Sequence, residues 1–173
     1  MMKKIILTLL AIFLVQNVNM AKDTLEFSFP NDGWHRVASP DGIESKKCYV
    51  PYNQSGENFN EMLIFTEKNS VVSPVAIMQK QLGKDRLNYK DIIPEYVRHD
   101  NYDSMATWCS ESNNTCVMHR TFQGKDGVVI VTYLNKAPHY SQNMFGQWSN
   151  ILNKVKLYDS SVTSEIKKTV IEL

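Results

Sequence analysis

The sequence predicts an α+β fold. A mostly antiparallel sheet carries a C-terminal three-strand meander and is packed by a short helix and by a long C-terminal amphipathic helix. Two observations carry this reading. The runs 103–109, 116–123 and 128–134 are strand-like and are joined by short polar connections, 110–115 and 124–127; tight polar links favour antiparallel neighbours. Further on, Met144, Trp148, Ile151, Leu152 and Val155 recur at helical spacing, which makes one apolar stripe that must lie on the sheet.

The elements follow in order. Leu25-Glu26-Phe27-Ser28-Phe29 alternates apolar and polar residues, the period of a half-buried strand. Pro30-Asn31-Asp32-Gly33 is turn chemistry. A second strand is expected over 34–38, stopped by Ser39-Pro40-Asp41-Gly42, and a third over 46–52. After a polar loop, 61–66 reads as a buried strand centred on Met62-Leu63-Ile64-Phe65. Ser73-Pro74 is a helix start, with serine as cap and proline in the first turn. Val75, Met78 and Leu82 share a face of that helix, and Gly83 ends it. The stretch 89–97, interrupted by Pro94, reads as a helical turn or an irregular edge segment. Val128-Val129-Ile130-Val131 is β-branched and continuously apolar, so it is expected to be a central strand covered on both faces. The final helix is expected over 141–158, with Trp148 facing that strand. The tail, 159–173, is mostly polar, and Val162, Ile166 and Val170 recur four apart in it, a spacing that allows a short accessory helix.

The start of the chain bears on location. Lys3 and Lys4 precede an apolar run from Ile5 to Val15, followed by polar residues and Ala21. This matches a secretory signal peptide over 1–21, and the run is short for a full membrane span. Asn19 is a poor cleavage-site residue, which leaves an uncleaved anchor as the alternative. Residues 22–158 then form one α+β domain of ordinary size. Loss of Lys3 and Lys4 leaves 17 basic residues against 18 acidic ones, a net charge of about −1. Without a basic field, nucleic acid is not an expected partner, and no membrane span is expected once the signal is removed.

Cys109 and Cys116 bracket the hydrophilic 110–115 loop between two strand-like runs, so they are expected to be disulfide-bonded across a hairpin. Cys48 is left over. It is either a buried free thiol or a thiol available for an intermolecular bond or reaction.

Several segments resemble the PsbP-like fold, including DcrB-like small exported α+β domains. They are Gly33-Trp34, the strand end Tyr49-Val50-Pro51, the segment Glu57-Asn58-Phe59-Asn60-Glu61-Met62 entering a buried strand, and the Trp148 helix. The resemblance implies a PsbP-like sandwich with a binding, assembly or accessory role, and it supplies no catalytic residues.

Motifs for catalysis or metals are sparse. His35, His99, His119 and His139 form no paired-histidine zinc motif. His99, Asp100 and Asp103 offer close nitrogen and oxygen ligands, but read better as a solvated loop. Cys116, Met118 and His119 would suit a soft metal, yet strand alternation sends His119 to the opposite face from the other two. Cys48 with His119 or His35 would be needed for a cysteine hydrolase, and nothing local activates Cys48. Glu57 and Glu61 read as solvated or capping carboxylates. No cofactor and no catalytic residue is therefore expected.

The candidate binding residues are Tyr52, Asn53, Gln54, Ser55, Asn58 and Phe59, where a polar loop is flanked by two aromatics. The expected function is a non-enzymatic binding or accessory domain, periplasmic or secreted. Its expected partner is a protein or small ligand in the bacterial envelope or outside the cell. The alternatives are a hydrolase with a dispersed site and a membrane-tethered accessory subunit of an envelope complex.

Overall fold

The computed structural model describes residues 24–30, 33–125, 127–157 and 169–173. The expected signal segment, 1–21, lies outside them. The described elements are β1 (Thr24–Phe27), β2 (Trp34–Val37), β3 (Lys47–Pro51), β4 (Glu61–Lys68), α1 (Pro74–Asn88), β5 (Glu95–His99), β6 (Asp103–Ser110), β7 (Thr115–Gln123), β8 (Val128–Asn135), α2 (Gln142–Asn153), β9 (Lys156–Leu157) and β10 (Thr169–Glu172). They build an α+β fold with a seven-stranded sheet, ordered β2-β3-β4-β8-β7-β6-β5, and a three-stranded sheet, ordered β10-β1-β9. The strand pairings in both are antiparallel.

Side-chain alternation gives the large sheet two buried faces. On one face, Leu63, Phe65, Met105, Met118, Val129, Val131 and Tyr133 meet α2 and the small sheet, which contribute Trp148, Leu152, Leu25, Phe27 and Ile171. On the other, Met78 and Leu82 of α1 pack on Ala106, Trp108 and Val117, and Ile77 packs on Val128 and Ile130. Val128 to Val131 therefore lie on a central strand, between β4 and β7, with both faces covered. Trp148 docks further along that strand than expected. Its ring stacks on Tyr133, with centroids 3.8 Å apart, and meets Trp34 edge-on at 5.6 Å.

Cys109 and Cys116 sit directly opposite in the β6–β7 register and are bonded, with Cα atoms 4.0 Å apart. Cys48 is free and fully buried with Val50 and Met62. Burial pushes its thiol pKa up, and of the two readings the structure matches the buried free thiol.

Three boundaries differ from those expected. The first helix is the longer one: it runs through Gly83 to Asn88, 15 residues in all. Gly83 points into open space, and a solvent-facing helical glycine costs too little to stop a helix whose buried stripe continues to Asp85. The second helix is 12 residues long and ends at Asn153, not 158. Val155 turns into the core, and Lys156–Leu157 pair with β1. In the tail, Thr169–Glu172 is a strand on the other edge of β1 rather than part of an accessory helix; Val162 and Ile166 lie outside the described residues. The ambiguous 89–97 stretch resolves into the C-cap of α1 at Tyr89 and the edge strand β5, which carries a register shift between Tyr96 and Arg98.

Arg120 ties α2 to the sheet. Its guanidinium donates to both carboxylate oxygens of Asp103, at 3.0 and 2.8 Å. It also donates to the carbonyls of Leu152 and Val155, at 2.5 and 2.7 Å. A cation thus meets the carbonyl end of the helix, where the dipole favours it.

Candidate functional site

The expected binding loop lies on the rim of a cleft of about 920 Å3. One wall is the turn after β3, with Tyr52, Asn53 and Gln54; the facing wall is α2, with Ser141, Asn143, Met144 and Gln147. The floor shows the edges of Trp34 and Trp148, which are 8% and 3% exposed. Tyr52 stands out at 66% exposure, its ring parallel to that of His35 with centroids 5.3 Å apart. One face of Tyr52 is thereby held and the other left open. Nδ1 of His35 is buried and has no hydrogen-bond partner among the described residues.

The polar character of this cleft is that of neutral amides and hydroxyls. Among the described residues, no lysine or arginine lines it, and its one carboxylate is Glu61. The phenol of Tyr133 donates to Glu61 Oε2 at 3.1 Å and accepts from Asn135 Nδ2 at 3.0 Å. Burial drives the Tyr133 pKa far above the ordinary phenol value, so the hydroxyl stays a donor to that carboxylate.

The remaining loop residues are placed differently. Gln54 lines the cleft, but its Oε1 accepts the backbone N–H groups of Asn60 and Glu61 at 2.6 and 3.1 Å, fixing the entry to β4. Ser55 and Asn58 close the loop on itself: the Ser55 N–H donates to the Asn58 carbonyl, and the Asn58 N–H donates to Ser55 Oγ. Phe59 turns away, under the Lys136 ammonium at 4.2 Å, and joins the small cluster around Cys48. The structure thus brings Tyr52, Asn53 and Gln54 together in the cleft, and leaves Ser55, Asn58 and Phe59 outside its lining.

Comparisons with protein-family models, with curated proteins and with solved structures found no match. Function has to be argued from the chemistry of the molecule itself.

A second polar constellation lies on the opposite face, under α1. Asp85 accepts from Gln81 Nε2 at 3.0 Å, Trp108 Nε1 at 2.8 Å and His119 Nε2 at 2.8 Å. His119 Nδ1 meets Thr132 Oγ1 at 2.8 Å. Nε2 of His119 donates to the Asp85 carboxylate, and Nδ1 pairs with the Thr132 hydroxyl, which can take either role. Burial opposes ionisation of Asp85, but the hydrogen bonds and charge of His119, with Trp108 and Gln81, outweigh it and hold the carboxyl below its usual pKa.

This Thr–His–Asp chain has the order of an acyl-transfer relay, but the strands around Thr132 leave it no oxyanion site among the described residues. Thr132 sits inside β8 with paired strands on both sides, so neighbouring backbone N–H groups are committed to the sheet. The chain acts as a tether between α1 and three strands. Asp85 and His119 are 34 positions apart, and no local motif announces them; the one sequence signal is a polar residue at an inward position of each element.

The other candidates disperse. Asp100 Oδ1 accepts the backbone N–H groups of Tyr102 and Asp103, and Asp103 holds two arginines. No cluster of metal-ligating side chains occurs among the described residues. Cys48 on β3 and His119 on β7 are separated by β4 and β8, a span of about 14 Å at ordinary strand spacing. Among the described residues, no helix is long and apolar enough to cross a membrane.

Proposed function

We propose that this chain is an exported, non-enzymatic binding domain, periplasmic or secreted, whose ligand site is the cleft between the 52–54 turn and α2. The charged start and apolar run of the sequence support export, and the Cys109–Cys116 disulfide suits an oxidising compartment. A PsbP-like architecture is part of the same reading. It rests on the sequence resemblance together with an α+β sandwich closed by a tryptophan-bearing helix.

One observation carries the ligand assignment. An exposed aromatic ring, rigidly backed on one face, overlooks uncharged amide and hydroxyl groups from two walls. Amides both donate and accept, and an open ring face packs against C–H groups, so the complementary ligand is a neutral, hydroxyl-rich one. A short saccharide chain has that chemistry.

The test is calorimetric titration of the protein with neutral oligosaccharides, such as chito- and malto-oligosaccharides, alongside Tyr52→Ala and Gln147→Ala variants. Saturable binding is expected, weakened by about tenfold or more in Tyr52→Ala, with the melting temperature unchanged. No binding of any neutral saccharide, alongside capture of an envelope protein lost in Tyr52→Ala, would replace the saccharide with a protein partner. Affinity untouched by both variants would move the site elsewhere.

A further inference from the structure

The face under α1 carries a second cavity, of about 570 Å3, which the tether does not fill. α1 lies mainly over β6 and β7, so part of β4 and β8 remains open beside it. There the floor is mainly apolar: Ile64 and Leu134 are half-buried and Ile130 is buried beside Ile77, with Thr66 and Thr132 between them. The far wall is the segment before β3, where Ile43 is 45% exposed.

The rim of this apolar floor is cationic. Lys46 lines it from the segment before β3, Lys68 from the end of β4 and Lys84 from α1. Lys46 is paired with Asp41, while Lys68 and Lys84 form no ion pair among the described residues. Two carboxylates also line the cavity: Glu67, and Asp85, which already has three donors. Burial and the like charges of Lys84, Lys80 and Lys46 hold the Lys68 pKa below the ordinary lysine value. Clustered ammonium groups beside an apolar floor are each unfavourable alone, and an anion with an apolar tail relieves both.

We propose that this groove binds a medium-chain fatty acid, its carboxylate between Lys68 and Lys84 and its chain along Ile64, Ile130 and Leu134. An inorganic anion would meet the lysines but leave the floor wet, and an uncharged chain would cover the floor but leave the ammonium groups in mutual repulsion. The cavity has the size of ordinary small-ligand sites. The site is separate from the saccharide cleft and does not depend on it.

The experiment is calorimetry with octanoate, decanoate and dodecanoate, with decanol and inorganic phosphate as controls. Saturable carboxylate binding is expected, tightening by about fourfold per added methylene until the groove is full. Lys68→Gln with Lys84→Gln should weaken decanoate by about tenfold or more, while Lys90→Gln and Tyr52→Ala leave it unchanged. Melting curves of each variant establish that it is folded. Decanol binding as tightly as decanoate, phosphate matching it, no response to chain length, or a folded double-lysine variant with full affinity would each overturn the proposal. Loss of decanoate binding in Tyr52→Ala would place the fatty acid in the other cleft and overturn the assignment.

Discussion

At the scale of single residues, two buried charges decide how the layers are held. Arg120 is 7% exposed and satisfies four acceptors at once. Arg120→Met keeps the bulk of the side chain but leaves the Leu152 and Val155 carbonyls without that donor, and Asp103 with Arg98 alone. We expect a loss of about 3 kcal/mol or more in urea unfolding; a loss under about 1 kcal/mol would mean water replaces the guanidinium without strain. Asp85 adds a pH dependence. Its folded pKa lies below the ordinary aspartate value, so near pH 4 the unfolded chain binds more protons than the folded one. The stability it contributes is complete above the unfolded value, about 3.9, and is lost as pH falls through the folded pKa. Asp85→Asn is expected to lower stability at pH 7 and to flatten the acid limb of the stability profile below pH 4. An unchanged acid limb would assign that limb to other carboxylates.

At the scale of elements, Gly83 offers a direct probe. It lies inside α1, faces open space and has no left-handed backbone requirement. Gly83→Ala is expected to stabilise the fold by about 0.5–1 kcal/mol, measured by thermal or urea unfolding; destabilisation would show that the added methyl meets a neighbour. The same glycine shows where sequence reading stops. Segments with a local signature were legible: the apolar run at the centre of 61–66, the β-branched 128–131 run, and the Ser73-Pro74 start, where Ser73 does accept the Ala76 N–H. Ends set by tertiary contact were not. Nothing near Asn153 says that α2 must stop there; the stop depends on Val155 reaching the core and on β1 pairing with Lys156–Leu157. The candidate site was legible by half for the same reason. Tyr52 and Asn53 are identifiable as an aromatic and a polar turn residue, but the opposing wall of Asn143 and Gln147 comes from about 90 positions downstream, and Ser55 and Asn58 satisfy each other locally.

At the scale of the whole molecule, the sandwich is closed by the two ends of the described chain. β1 pairs with β10 on one edge and with β9 on the other. This small sheet delivers Leu25, Phe27, Ile171 and Leu173 to the same core that α2 covers. Ile171 and Leu173 are 2% and 5% exposed, so the last residues belong to the core although the tail's composition reads as polar. Deleting residues 169–173 removes two buried aliphatic side chains, at about 1.5–3 kcal/mol each before entropy costs, and leaves one edge of β1 unpaired. The truncated protein is expected to lose about 3–6 kcal/mol in urea unfolding and to associate through the bared edge, seen as a larger species in light scattering. Because β1 follows directly on the N-terminal segment, the same deletion should raise protease sensitivity near Phe27 more than in the β7–β8 centre of the large sheet. A truncated protein with unchanged unfolding free energy and an unchanged cleavage pattern would show that β10 rests on the surface, and that α2 and β9 alone close the core.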